Sequence, residues 1–442
     1  MIEAFLAVDS IGSAVIVILF LILLWAMNHL PKKKLSFAQR VLIGTACGMI
    51  FGLICYMLLR SAGEGPALVS GPGSWFAAAT DIYIGLFCML IGPIIFICTA
   101  HMVIHTPAFK VMPKEVGVKK QVNTLMVALS CGVGLVLGTI FNVGSLNGSL
   151  FGSIQAGGDS LPWILEGLMP ADAASDLILG KVVSVFAAGG LVGMAARRMS
   201  GKYMDTIKPI LDLIDAAFST FESVAKTVIA WKPMGAFAIM AALTATYGPA
   251  VLLAIIKFIL VLTLAAAVML LLQLILSCIF GVSPAAFFKA GREAMIKALK
   301  TRSGSACLPE AKQALSEGLG LNKEITDETA AYAIASGMQG CGALFPAMAL
   351  IFTVHMAGSA VTPGLIAAAV IVITISSYGI TGAPGTATMA EFAAVMGTGM
   401  QEAIFGLGAM IAIDPICDVP RTLINVTGCM TNAIIAERRL RA

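Results

Sequence analysis

Charge is scarce in this chain. Only 12% of its 442 residues are Asp, Glu, Lys or Arg, where a soluble domain carries about 25%. That shortage excludes an ordinary soluble domain, and it excludes a charged disordered chain equally. Aromatic residues make up 7% and histidine occurs four times. His29, His101, His105 and His355 are scattered along the sequence without a nucleophile–base pairing, so nothing supports an enzyme, and each reads as a helix-end or packing residue. The ten cysteines show no zinc-ligand spacing and lie mostly in apolar runs, so they read as small packing residues rather than redox or metal groups. No metal site, cofactor or catalytic residue is expected. The net charge of +4 is small and confined to loops, which gives no footprint for nucleic acid. Soluble domains, long linkers, low-complexity tracts and defensible repeats are also missing.

What remains is apolar sequence. Hydrophobic residues are 59% of the chain, the mean hydropathy is +0.95, and 45 glycines suit close helix packing and broken helices in lipid. The fold class is therefore an all-α polytopic protein embedded in a lipid bilayer. Runs long enough to cross it cover about 11–30, 38–60, 79–105, 119–143, 174–197, 205–246, 248–281, 326–357 and 401–437. The run 205–246 is broken near Trp231-Lys232-Pro233. The first run, Ile11 to Leu30, precedes Pro31-Lys32-Lys33-Lys34 and reads as a retained helix, because a cleaved signal carries its basic residues ahead of the apolar stretch. Two further segments, 284–320 and 361–399, hold Gly, Ser, Thr and Pro at their centres, which suits re-entrant helical hairpins with unwound tips. Basic clusters at Lys32–Arg40, Lys110–Lys120, Arg197–Lys208, Lys289–Arg302 and Arg438–Arg441 alternate with loops that lack basic residues. Residues 121–180, with Asp159, Glu166, Asp172 and Asp176, are one such acidic stretch. Basic loops stay cytoplasmic, which places the N-terminus outside, the C-terminus inside and nine crossings between them. Arg60 is the misfit and can snorkel from a helix end.

Within this apolar background, no Lys or Arg occurs between Lys323 and Arg421. A guanidinium in a bilayer costs about 2.5–3.5 kcal/mol or more and keeps its charge. It survives only when paired, facing water or binding a ligand. Asp414, Asp418, Arg421, Thr422 and Asn425 recur at helical spacing and share one face, a stripe fit for a small zwitterion or dianion. Pro420 removes the helical partner of the Ile416 carbonyl beside Arg421. The plainer alternative is an Asp418–Arg421 salt bridge of structural purpose. Three other segments are suited to ligand contact. Thr301-Arg302-Ser303-Gly304-Ser305-Ala306-Cys307-Leu308-Pro309 would aim backbone N–H groups at an anion, or else be a plain Ser/Gly loop. Gly382-Ala383-Pro384-Gly385-Thr386 interrupts a helix deep in apolar sequence, as a buried tip or a simple kink. Gly337-Met338-Gln339-Gly340 suggests an unwound helix, or a small-residue packing face.

Together these elements resemble the dicarboxylate/amino acid:cation symporter family, the glutamate transporter homologues. That pattern is a hydroxyl-rich hairpin, an unwound seventh helix, a Gly/Pro hairpin, and an eighth helix with Asp, Arg-Thr and Asn-Val-x-Gly. Here Asp418, Arg421-Thr422 and Asn425-Val426-Thr427-Gly428 supply the last part. The match runs over about residues 38–437. The extra N-terminal helix and the Gly340-Cys341 … Pro346 pattern are most similar to the L-cystine symporter branch. The resemblance implies an elevator-type transporter in a cell (inner) membrane, usually a homotrimer, with scaffold and transport domains. It implies a division into 1–105, the N-terminal helix and first helices; 106–281, the remaining helices including scaffold; 282–437, the transport core; and 438–442, a cytoplasmic tail. By the same resemblance, Asp418 holds a substrate ammonium and Arg421 a distal carboxylate. Thr422, Asn425 and the Ser303-Gly304-Ser305 tip hold an α-carboxylate, and Ala383, Pro384, Gly385 and Thr386 form the outer gate. The coupling ion is Na+ or H+, with Gly337, Gln339, Asp414 and Cys429 at the coupling positions. Two departures stand out. Gly337-Met338-Gln339-Gly340 stands where sodium-coupled members have Asn-Met-Asp-Gly, and Cys429 stands where they have Asp. Sodium wants oxygen ligands that a thiol does not supply. Proton coupling through Asp414, Asp418 or Glu391 is the alternative.

The expected function is import of a small-molecule substrate, cystine or an acidic amino acid. Non-amino C4 dicarboxylates are the rival substrates, and Asp418 would repel them unless neutralised. An anion channel is the rival class, but a pore wants rings of one charge sign, and this stripe is mixed.

Overall fold

The computed structural model describes residues 11–61, 67–105, 113–145, 172–178, 181–380 and 385–441. Among them there is no strand. In chain order the helices are α1 (Ile11–Asn28), α2 (Phe37–Ser61), α3 (Ala67–His105), α4 (Pro113–Ile140), α5 (Ala173–Ile178), α6 (Val182–Ser200), α7 (Met204–Ala230), α8 (Lys232–Tyr247) and α9 (Pro249–Ile279). They continue with α10 (Pro284–Thr301), α11 (Gly304–Gln313), α12 (Lys323–Ala335), α13 (Phe345–Met356), α14 (Pro363–Gly379), α15 (Thr386–Gly397) and α16 (Leu407–Arg441). Among the described residues, eight spans are long and apolar enough to cross a membrane, or nine when the bent pair α7–α8 is counted as one span.

Capping chemistry starts the short helices. Ser283 ahead of Pro284, Ser303, Asn322, and Thr362 ahead of Pro363 each accept a hydrogen bond from a backbone N–H of the following turn. These side chains satisfy donors that the first turn leaves free, and proline fits there because it has no N–H to lose. The same logic breaks α7 from α8. The two axes differ by 50°, and the second helix restarts on Lys232-Pro233.

The segment expected as the first hairpin is a helix pair, α10 and α11, that turns at Arg302 in the left-handed region (φ 54°). The second is the pair α14 and α15. Its tip, including the gate residues Ala383 and Pro384, lies outside the described residues. The expected unwound helix is also present. α12 ends at Ala335, Ser336 is extended, and a wide π turn over Gly340–Leu344 leads into α13. Freed backbone groups there find partners elsewhere, as buried backbone must. The Gly337 N–H donates to the Ser377 carbonyl (3.2 Å), and the Gln339 carbonyl accepts from Ser130 Oγ (2.8 Å).

α16 is the axis of the molecule. It touches α2, α4, α8, α9, α10 and α12. The added N-terminal helix is packed, not loose. Phe20 of α1 is fully buried among Phe51, Phe76 and Phe237. α2 lies against α8 through Gly44, Gly48 and Gly52. A Cβ at Gly48 would come within 2.4 Å of the Phe237 carbonyl oxygen, so only glycine allows this approach. α9 shows Leu253, Ile256 and Leu260 outward, while Phe258, Leu262 and Gln273 face inward. An apolar outer face around a partly polar interior is the arrangement expected in lipid.

Candidate functional site

Four segments converge on one cavity of about 370 Å³. The α10–α11 turn brings Arg302, Ser303 and Gly304, the broken helix brings Met338 and Cys341, and the start of α15 brings Gly385, Thr386, Ala387 and Thr388. α16 contributes Asp414, Asp418, Arg421, Thr422 and Asn425. The five-residue stripe on α16 thus lines the cavity as a unit. Of the residues expected to touch substrate, only Ser305 is described and yet absent from the lining, exposed on the first turn of α11; of the expected coupling positions, Gly337, Gln339 and Cys429 are absent from it too.

Arg421 is only 1% exposed. Its Nη2 donates to Asp414 Oδ1 at 2.5 Å and to Asp418 Oδ1 at 3.2 Å. Its guanidinium carbon stands 4.0 Å from the centre of the Phe345 ring, a cation–π contact in a dry setting. The Nε and Nη1 donors have no partner among the described residues. Leaving a buried charged donor unmatched costs about 1–3 kcal/mol or more. The plain Asp418–Arg421 bridge therefore exists but satisfies only one nitrogen of the guanidinium. An acceptor such as a carboxylate would complete the set.

Asp414 has a second cation that sequence reasoning missed. Lys232, at the α7–α8 break, donates to Asp414 Oδ2 and to Thr388 Oγ1 (3.2 Å). Its side chain is only 5% exposed. Asp414 thus bridges Lys232 and Arg421 and has no oxygen left over. The signal was available: a lysine inside an apolar run is as costly as the arginine, but in the sequence it reads as a helix interruption.

Asn425 also differs from expectation. Its Oδ1 accepts from the backbone N–H groups of Gly340 (2.7 Å) and Cys341 (3.2 Å). It therefore clamps the broken helix onto α16 while still lining the cavity. Thr422 Oγ1 donates weakly to Asp418 Oδ1 (3.4 Å). Arg302 reaches the Pro415 carbonyl (3.3 Å), a tie between the first helix pair and α16.

The positions expected to hold a coupling ion are committed elsewhere. Gly337 has no side chain, and its φ of +71° marks the turn of the break. Gln339 Oε1 accepts from Gln273 Nε2 (2.8 Å), and its Nε2 donates to Asn432 Oδ1 (3.1 Å). Asn432 then donates to Asn123 (2.7 Å), and Thr427 donates to Gln273 (2.6 Å). A neutral amide network thus fills the neighbourhood of Gln339. Cys429 Sγ donates to the Val426 carbonyl (3.1 Å) within an apolar cluster. None of these side chains presents an uncommitted carboxylate oxygen, the ligand a hard cation favours.

The histidines are less scattered than the sequence suggests. His101 and His105, one turn apart on α3, meet Asp215 of α7, with His105 Nε2 at 2.7 Å and His101 Nε2 at 3.6 Å from Oδ1. The three ligand atoms lie within 4.8 Å of one another. They lie away from the cavity lining. His105 ends α3 and the His101 ring stacks on Phe218, as helix-end and packing residues do, and Asp215 adds a polar contact between the two helices.

The model of a family described as "Sodium:dicarboxylate symporter family" matches residues 37–439. A Bacillus cereus relative called "L-cystine uptake protein TcyP" is 25% identical over 443 residues, covering 96% of this chain and 94% of the relative. The protein of the same name from Bacillus licheniformis is 24% identical over 438 residues, covering 96% and 94%. A Haemophilus influenzae "Uncharacterized symporter" is 27% identical over 444 residues, covering 96% and 98%.

Proposed function

The chain belongs to the sodium:dicarboxylate symporter family, and from that premise we propose that it imports a small amino acid bearing two acidic or zwitterionic ends, with cystine first. It is a multi-pass membrane protein. The observation that carries the substrate class is Arg421, buried with two unmatched donors beside Asp418 in a cavity that four segments share. A carboxylate of the substrate meets Arg421, its ammonium meets Asp418, and its second end meets the N-terminal turn of α11 at Ser303 and Gly304. Thr388, Gly385 and Thr386 close the opposite wall. The relatives named for L-cystine uptake point the same way. Transport is driven by a cation or proton gradient. α10–α16 with α4 and α9 form the moving body, in an elevator working as a homotrimer.

A C4 dicarboxylate is the second reading. Asp418 is already held by Arg421 and Thr422, so its charge repels a dianion less than the bare sequence implies. Counterflow in proteoliposomes decides between them. Vesicles loaded with cystine, aspartate or succinate are diluted into labelled substrate. Exchange of cystine or aspartate supports the proposal, and exchange of succinate alone overturns it.

A further inference from the structure

We propose that Glu391 is a proton-binding site of the transport cycle, at which one proton and one carboxylate-bearing substrate each strengthen the binding of the other; this rests on the symport reading above. Glu391 lies on α15, one turn beyond Thr388. It is completely buried, and neither carboxyl oxygen has a hydrogen-bond partner among the described residues. An ionised carboxylate is not stable in such a place, whereas the neutral acid is tolerated. The described arrangement therefore holds one proton on Glu391.

The charged groups that face it are Asp414 and Arg421 from α16 and Lys232 from α8. Among the described side chains, the other helices packed against α15, namely α3, α6, α13 and α14, add no charged group to that set. With Glu391 protonated, Lys232 and Arg421 balance Asp414 and Asp418, and Arg302 on the cavity wall leaves one positive charge over. With Glu391 ionised, the cluster is one charge more negative, next to the guanidinium that receives the substrate carboxylate. A proton on Glu391 therefore favours an acidic substrate, and by linkage the substrate favours the proton. Ionised Glu391 also competes for Lys232, whose ammonium already touches Thr388 on the same helix. That competition loosens the contact between α8 and Asp414. One proton enters with the substrate from outside and leaves with it inside. The amide network at Gln339, which presents no free carboxylate oxygen, fits a cycle in which a proton takes the coupling part.

The test uses the full-length protein in proteoliposomes, with labelled L-cystine as probe. Wild-type uptake rises when the outside is acidified. Its apparent Kd weakens by up to about tenfold per pH unit as the site loses its proton, the slope that one linked proton requires. Glu391→Gln mimics the neutral acid. It keeps cystine counterflow, loses stimulation by the acid gradient, and binds with a pH-independent Kd. Retention of the gradient response and of the slope in Glu391→Gln overturns the proton site. Wild-type counterflow that ignores pH overturns it too, while leaving the amino-acid reading intact. A substrate-free measurement covers the remaining case, in which cystine is not carried at all. Infrared spectra of wild type at neutral pH show the C=O band of a protonated carboxylic acid, and Glu391→Gln lacks it. Absence of that band from wild type, or its survival in the variant, overturns the site even if the substrate reading has failed for other reasons.

Discussion

At the scale of single residues, the site is a contest for Asp414. Lys232 and Arg421 both bond to it, so neither cation is fully neutralised by it. Lys232 thereby leaves positive charge on Arg421 for a substrate. Replacing Lys232 with Met hands Asp414 wholly to Arg421. The affinity for acidic substrates should then fall by about tenfold, or roughly 1.4 kcal/mol, while neutral amino acids bind with little change. Lys232→Arg should restore much of the loss. A binding series by tryptophan fluorescence or calorimetry reads this directly, and equal losses for acidic and neutral ligands would mean that Lys232 only supports the fold. Arg421→Lys keeps the charge but not the planar fork. Losing a charged hydrogen bond or two, each about 1.5–3 kcal/mol, should reduce uptake at least tenfold with expression unchanged. Misfolding of that variant would favour a purely structural bridge. The sequence exposed Arg421 because a cation isolated in a long apolar stretch needs a reason. It hid Lys232, which stands beside a proline and passes for a helix break. It also hid the use of Asn425, whose partners Gly340 and Cys341 precede it by 85 and 84 residues. Pairings across such separations follow from tertiary packing and leave no local pattern.

At the scale of elements, glycine and proline made the breaks legible. The α7–α8 bend, the α12–α13 break and both helix pairs fall where those residues cluster, because each removes a helical hydrogen bond or opens left-handed backbone. What the broken helix packs against was not legible. Gly340 sits so close to α16 that a Cβ there would lie 2.2 Å from the Arg421 carbonyl oxygen. Gly340→Ala must push the break away from the residue proposed to hold the substrate. An overpacked contact of this kind costs about 1–3 kcal/mol, and the displacement acts on the guanidinium as well. The variant should melt at a lower temperature in detergent and lose substrate affinity together. Gly132 of α4 is the control, since a Cβ there meets nothing within 4 Å. Gly132→Ala should leave both quantities unchanged. If Gly340→Ala behaves like the control, α16 tolerates the shift, and the close approach has no part in positioning Arg421.

At the scale of the whole molecule, the places of the long apolar helices were readable from hydropathy, because lipid demands such helices. Which helices move together is not written in that pattern, since every helix shows a similar apolar face to its neighbours. The proposed elevator divides α2, α3, α6, α7 and α8 from α4 and α9–α16, and two of the polar contacts that cross that division reach α16. One is Lys232 to Asp414. The other joins Thr45 Oγ1 of α2 to the Ala412 carbonyl of α16 at 2.7 Å. A moving transport body must break both in each cycle. The second lies away from the cavity lining, so it can be bridged without touching the substrate. In a background with all ten native cysteines replaced, Thr45→Cys with Ala412→Cys should be joined by mercury or a short bifunctional thiol reagent. Cross-linking should abolish counterflow while substrate binding persists, and a reducing or chelating thiol should restore transport. Either single-cysteine variant should be indifferent to the reagent. Full counterflow after complete cross-linking would show that α2 and α16 stay together through the cycle, and the division between static and moving helices would have to be drawn elsewhere.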